Sequence, residues 1–289
     1  MFIKRSVGNL KGEMMEDMPS DVRGLLKDIR TLAEQNFADK ACTWGPEAPW
    51  ENIELLSEQG LMGLNFETEY GGAGLTELEA VLMIEIVSRV CPDTGLFLNT
   101  QQMLAPRGVA EFGTDAAKER YLTPVLNGEE AMALALSEPD AGSDLGAMET
   151  TATPDGDGFS LTGEKIWVGD VDYSSSAVVW VKYPDVGLGS LILDLDAAGI
   201  DTINKSTNMA GNTQTHFHMD EVHVPRENVL TQGGSGFKEQ LSFLNWERLG
   251  NAAMLTGRMA FALDMTIDYA QQREQFGQPI GDFQGIEWK

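Results

Sequence analysis

The sequence predicts an α+β multidomain protein, helical at both ends, with an antiparallel β domain between them. Three observations carry this expectation. Apolar residues keep helical spacing over roughly residues 21–129. Near Ala131 the texture changes to short β-rich runs divided by Gly, Pro, Asp and Asn, and helical spacing returns after "TQGGSG". The expected domains are therefore an N-terminal helical domain over 1–130, a central β domain over 131–233 and the start of a C-terminal helical domain over 234–289. A length of 289 residues with 42% hydrophobic content suits two domains or one large one.

In the first domain "DVRGLLKDIRTLAEQNFA" and "TELEAVLMIEIVSRV" repeat apolar residues at intervals of three and four. Thr76 and Glu79 have the spacing of a capping box, so a helix should start there. Gly71, Gly72 and Gly74 precede that start. No strand leads into them and no phosphate-loop pattern follows, so they read as a tight turn into the helix. In the second domain "AMALALS", "FSLTGEKIWV", "SAVVWVKY", "SLILDL" and "THFHMDEVHV" read as antiparallel strands. His216, His218 and Asp220 alternate along the last of these, as metal ligands could. Thr215, Phe217 and Met219 make its other face, so a polar outer face over a packed inner one explains the same pattern. Metal is not expected.

The third domain raises the sharpest question. In "LNWERLG", residues 244–250, a glutamate and an arginine stand inside an apolar helical pattern. Leu241, Leu244, Leu249, Ala252, Leu255 and Met259 form one stripe, and Phe243, Glu247, Gly250 and Met254 form a second that is apolar except for the acid. Glu247 is thus a candidate catalytic base, against the ordinary alternative of a solvated pair with Arg248 on a polar face.

Charge and cysteine content narrow the partners. The 45 acidic and 20 basic residues give a net charge of −25, spread from Glu13 to Glu287. Nucleic acid and anionic membranes would be repelled, and a dispersed acidic excess points to a halophilic protein working at high salt. The two cysteines, Cys42 and Cys91, stand far apart without companions at metal spacing. There is no apolar run of membrane-spanning length, and "MFIKRSVGNLKGEMMEDM" lacks the apolar centre of a signal peptide, so a cytoplasmic location is expected.

Four ordered blocks, "ALALSEPDAGSD", "GEKIWV", "MDEVHVP" and "YAQQREQFGQPIGDFQ", together resemble the acyl-CoA dehydrogenase family. "LLSEQGLMGLNFETEYGGAGLT" and "EFGTDAAKERYLTPVLNGE" are similar to its first helical domain. The resemblance implies a C-terminal helical bundle of which only the first part is present. It also implies an FAD-dependent enzyme of fatty acid metabolism that removes hydrogens across the α,β bond of an acyl-CoA thioester. Electrons would pass to an electron-transferring flavoprotein, and the assembly would be a homodimer or homotetramer. An enoyl-CoA reductase or acyl-CoA oxidase on the same fold is one alternative, and a non-catalytic fragment is another.

The resemblance assigns FAD contacts to Leu134, Leu136, Ser137, Gly142, Ser143 and Trp167. Arg273, Phe276 and Gln284 would reach the adenosine end of FAD in a neighbouring subunit. Ser143 and Arg248 would contact substrate, and Glu247 matches one of the two places where the family puts its base. One departure stands beside Trp167: the family's Trp-Ile-Thr/Ser is here Trp167-Val168-Gly169, so the hydroxyl near the flavin's reactive nitrogen is absent.

Overall fold

A computed structural model of the protein describes residues 18–43, 45–233 and 236–289. The first 17 residues, on which the reading of the chain's start rests, lie outside them, as do the side chains of Phe237 and Phe243. The N-terminal domain comprises α1 (Ser20–Asn36), α2 (Trp50–Glu58), α3 (Glu77–Val90), α4 (Pro92–Met103), α5 (Ala105–Phe112) and a further helical stretch over 115–126. Helix α3 begins at the expected capping box, in which the Thr76 hydroxyl accepts from the Leu78 N–H and the Glu79 carboxylate accepts from the Thr76 N–H at 2.9 Å. Pro92 opens α4, where its missing N–H costs nothing. Leu26, Ile29, Ile53, Leu56, Met83, Val87 and Phe97 form this domain's core, and Met254 of the last long helix belongs to the same cluster.

The central domain is one eight-stranded sheet. Its strands are β1 (Met132–Ala135), β2 (Thr151–Asp155), β3 (Gly158–Gly169), β4 (Ser176–Tyr183), β5 (Gly187–Asp194), β6 (Ile200–Thr207), β7 (Thr213–Pro225) and β8 (Val229–Gln232). The order is β6-β7-β3-β2-β4-β5-β8, with β1 on β4. The sheet is not wholly antiparallel. β1 pairs with β4 in parallel, from Met132 opposite Ser176 to Ala135 opposite Val179, and β2 touches β4 in parallel at Thr151 and Lys182. The reason is connectivity: the β2–β3 hairpin is inserted between β1 and β4, and so lets β4 return in the direction of β1. On β7, Thr215, Phe217 and Met219 are buried while His216, His218 and Asp220 face outward, which is the packed-inside, polar-outside alternation.

The last long helix, α6 (Gly236–Gln272), runs 37 residues, about 55 Å at 1.5 Å per residue. It packs along α3 and α4 and meets β5 and β8 near its start. Two glycines set how closely it lies. A Cβ on Gly250 would fall 2.1 Å from Asn99 Oδ1, and one on Gly257 would fall 2.3 Å from the Glu85 carbonyl oxygen. Glycine at these crossings lets the α6 backbone meet the Asn99 side chain at one and the α3 backbone at the other. The stripe containing Gly250 and Met254 therefore faces the N-terminal core, whereas Leu241, Leu249, Leu255 and Met259 are exposed in this chain. A two-residue hairpin joins β9 (Glu274–Gln275) to β10 (Gln278–Pro279), and α7 (Gln284–Glu287) follows. No helix among the described residues is long and apolar enough to cross a membrane.

Candidate active site

The segment after β1 is shaped by a buried ion pair. Lys165 Nζ lies 2.8 Å from Glu138 Oε1 and donates to the Leu136 carbonyl at 3.1 Å, and both charged side chains are almost fully buried. The Glu138 carboxylate also accepts from the N–H groups of Glu149 at 2.6 Å and Thr150 at 3.1 Å. Burial pulls the Lys165 ammonium down to about 8 against the pull of Glu138. The Glu138 carboxyl, for which burial acts upward, ends below its usual range because Lys165 and the N–H donors outweigh that effect. The loop closes on itself through Glu138 N–H to Ala141 O at 2.8 Å and Ala141 N–H to Glu138 O at 3.3 Å, which leaves the Gly142 and Ser143 amides outside that closure. Gly142 and Ser143 are exposed, and a Cβ on Gly142 would meet open space. Ser137 is fixed beside β3, its carbonyl accepting from the Ile166 N–H at 2.9 Å.

Trp167 sits at a bulge. Lys165 pairs with Phe217 and Val168 with Thr215, so β3 carries one residue more than β7 across this interval. The extra residue pushes Trp167 to a φ of +60° and turns its ring outward, 59% exposed. A bulky residue at positive φ is strained, and such strain concentrates where a side chain has a task. Phe276 repeats the pattern. It occupies the first central position of the β9–β10 turn at φ +55°, followed by Gly277 at +81°, and is 95% exposed. That turn geometry favours Asn or Gly at the position Phe276 holds.

The sequence-predicted residues thus fall into two groups. Leu134, Leu136 and Leu244 pack against one apolar cluster that includes Met132, Trp180 and Leu230, which brings the start of α6 beside the β1 loop. Glu247 follows one turn later, half-buried. Burial raises its carboxyl above the usual range, with Asn251 and then Arg248 acting the other way. Arg248 is exposed and donates to Asn245 Oδ1 at 3.2 Å. Arg273, Phe276 and Gln284 form the second group, all exposed. Arg273 follows Glu247 by 26 positions and lies just past the end of α6, about 39 Å further along the helix direction. One chain does not bring the two groups together.

Where the family hydroxyl would stand, Gly169 leads to Asp170, whose carboxylate is turned into the protein and accepts from the Tyr173 hydroxyl. Burial pushes this carboxyl up, while Tyr173 and Thr100 pull it down. It does not replace the missing group. A cleft of about 520 Å³ lined by Arg120, Tyr121, Glu130, Asp194 and Asp196 contains none of the predicted residues, and its acidic lining repels an anionic thioester. Sequence reasoning missed the pairing of Glu138 with Lys165, and the polar chain from Glu247 through Asn251 to Asn99. Both residues of the pair lie inside quoted blocks, but nothing in their spacing links them.

A helical domain, a β domain with an aromatic-flanked loop and a long helix bearing a half-buried glutamate define a flavoenzyme-like architecture that comparison places directly. Residues 19–129, 133–222 and 234–289 match the family models described as the N-terminal, middle and C-terminal domains of acyl-CoA dehydrogenase. The chain belongs to the acyl-CoA dehydrogenase family, and its acyl-CoA dehydrogenase relatives are oxidoreductases acting on CH–CH groups. It is 33% identical over 275 residues to probable acyl-CoA dehydrogenase YngJ of Bacillus subtilis, covering 93% of this chain and 72% of that one. It is 30% identical to the mitochondrial short-chain specific acyl-CoA dehydrogenase of Sus scrofa, covering 94% of this chain and 68% of the relative. The solved structure of butyryl-CoA dehydrogenase from Megasphaera elsdenii superposes with a TM-score of 0.83 at 29% identity, over 94% of this chain and 74% of the other.

Proposed function

We propose that the protein is an FAD-dependent acyl-CoA dehydrogenase in which Glu247 removes the α-proton of the thioester. Electrons then leave to an electron-transferring flavoprotein. The observation that carries this reading is the half-buried Glu247, its carboxyl raised, on the turn of α6 that follows the contact with the β1 loop. A carboxylate so placed is a stronger base than one in water, which suits abstraction of a weakly acidic proton.

The loop residues fit the cofactor. Trp167 offers an exposed ring, Gly142 and Ser143 offer free space and backbone amides, and Leu134, Leu136 and Ser137 line the adjoining strand end. Arg273, Phe276 and Gln284 would hold the far end of the same FAD bound to a second copy, since their own chain carries them about 39 Å along the helix from Glu247. When bound, FAD supplies the acceptor for the β-hydrogen and its two electrons. The chain's own contribution is to hold the thioester through Ser143 and Arg248, to accept the α-proton on a Glu247 carboxylate oxygen, and to exclude water with the leucines around it. With Gly169 in place of a hydroxyl residue, hydrogen bonding beside the flavin falls to backbone N–H.

The experiment is to purify the protein, measure bound flavin and follow enoyl-CoA formation from short acyl-CoA thioesters with electron-transferring flavoprotein as acceptor. Flavin and acyl-CoA-dependent enoyl-CoA are expected. Flavin without any thioester oxidation would refute the reading.

A further inference from the structure

We propose that Asn251 is a positioning residue for Glu247: its side-chain amide, locked by Asn99 of α4, fixes the carboxylate on the face of α6 that meets the N-terminal domain. Its functional meaning rests on the reading of Glu247 as base. Asn251 lies four residues after Glu247, so the two side chains are neighbours on one helix face. Asn99 Nδ2 donates to Asn251 Oδ1 at 2.9 Å. With its oxygen occupied, Asn251 must present its NH2 group the other way, and Nδ2 lies 3.5 Å from Glu247 Oε1. The opposite orientation would set an amide oxygen against a carboxylate and two NH2 groups against each other, leaving four polar atoms without complement. Asn99 is 1% exposed and packs its amide against Gly250, its Oδ1 having no hydrogen-bond partner among the described residues, so the bond to Asn251 is what orients it. A contact of 3.5 Å is long, as catalytic hydrogen bonds often are before substrate binds.

The arrangement is neutral, so it acts at every pH. Charged groups on the packed elements are engaged elsewhere or stand apart. Arg107 of α5 pairs with Glu77 at 3.2 Å while lying over the Trp246 ring, and Arg89 of α3 pairs with Asp264 at 2.8 Å. Glu85 of α3 lies at Gly257, about 15 Å along α6 from Glu247. Asp93 of α4 accepts from the Cys42 N–H, Glu111 of α5 acts on Arg107, and Asp194 of β5 pairs with Arg120. Arg248 is the charged group that acts on Glu247, and Asn251 outweighs it in opposing burial.

The test is a carboxyl-carbon NMR titration of protein labelled at glutamate, with the Glu247 resonance assigned by its loss in Glu247→Gln, paired with kcat/KM against pH. Asn251→Leu keeps the branched shape and removes both the donor to Glu247 and the acceptor for Asn99. The Glu247 midpoint should rise by roughly half to one pH unit, because the anion loses a partner. The acid limb of kcat/KM should move up equally while KM for acyl-CoA stays constant. Asn99→Ala should give a smaller rise of the same sign, and it carries the test if Asn251→Leu does not fold. Midpoints unchanged in both variants, or a kcat lowered equally at every pH without movement of the limb, would overturn the proposal. An inactive Glu247→Gln with an unmoved midpoint defeats this inference alone, whereas an active Glu247→Gln with a moved midpoint defeats the assignment of the base and leaves the Asn251 contact standing.

Discussion

At Trp167 the backbone is held in a region that bulky side chains avoid, and the ring it displays is mostly in solvent. Strain of this kind costs about 1–3 kcal/mol, and among the described residues Trp167 joins none of the apolar clusters that would offset it. A ligand ring would. Trp167→Gly should therefore leave the melting temperature of the cofactor-free protein unchanged or higher, because glycine accepts positive φ and little buried contact is lost. The same variant should bind FAD at least about tenfold more weakly, since an aromatic stacking partner contributes about 0.5–1.5 kcal/mol beyond its buried area. Calorimetry and flavin fluorescence read the two effects separately, and a variant that is destabilised yet binds FAD normally would assign Trp167 to structure. Glu247 differs in kind: its raised carboxyl is deprotonated only above the usual carboxylate range, so activity requiring the anion rises with pH through that raised value.

At the level of elements, the β1 loop depends on a charge pair placed where water cannot reach. Removing one member leaves the other buried and unpaired, which costs about 3–5 kcal/mol. Lys165→Met should lower stability by that order and loosen the loop at 138–143. Adding Glu138→Gln should restore most of the loss, because the stranded carboxylate is gone. Urea titration of both variants checks this, and a double variant no more stable than Lys165→Met would show that the pair is not the clamp. Much of the element pattern was legible in the sequence: the Thr76 capping box, the β7 alternation and the Gly250–Met254 stripe all announce themselves by local spacing. The strand β6 did not, because "IDTINKST" is an edge strand with an almost wholly exposed face and no apolar alternation. The parallel pairing of β1 was hidden too, since direction depends on a hairpin inserted far along the chain. Likewise the Glu138–Lys165 and Asn99–Asn251 contacts join residues 27 and 152 positions apart, and no local pattern encodes them.

Over the whole molecule, the net charge of −25 makes self-repulsion a general load on the folded state. Screening shortens its range to about 3 Å at 1 M salt, so the melting temperature should rise between low and molar sodium chloride by more than in a near-neutral family member. Equal melting temperatures across that range would reject a salt-adapted surface. Under the proposed reading, the two groups of residues assigned to FAD, set apart along α6, call for a second copy in the working unit, with Glu247 at the end nearest the β1 loop. That account turns on a single proton transfer. The most direct measurement is anaerobic mixing of flavin-loaded enzyme with acyl-CoA, recording loss of the oxidised flavin absorbance for the wild type and for Glu247→Gln. Bleaching should slow by about 10²- to 10⁴-fold in the variant with FAD affinity unchanged, and equal rates in the two proteins would contradict the account.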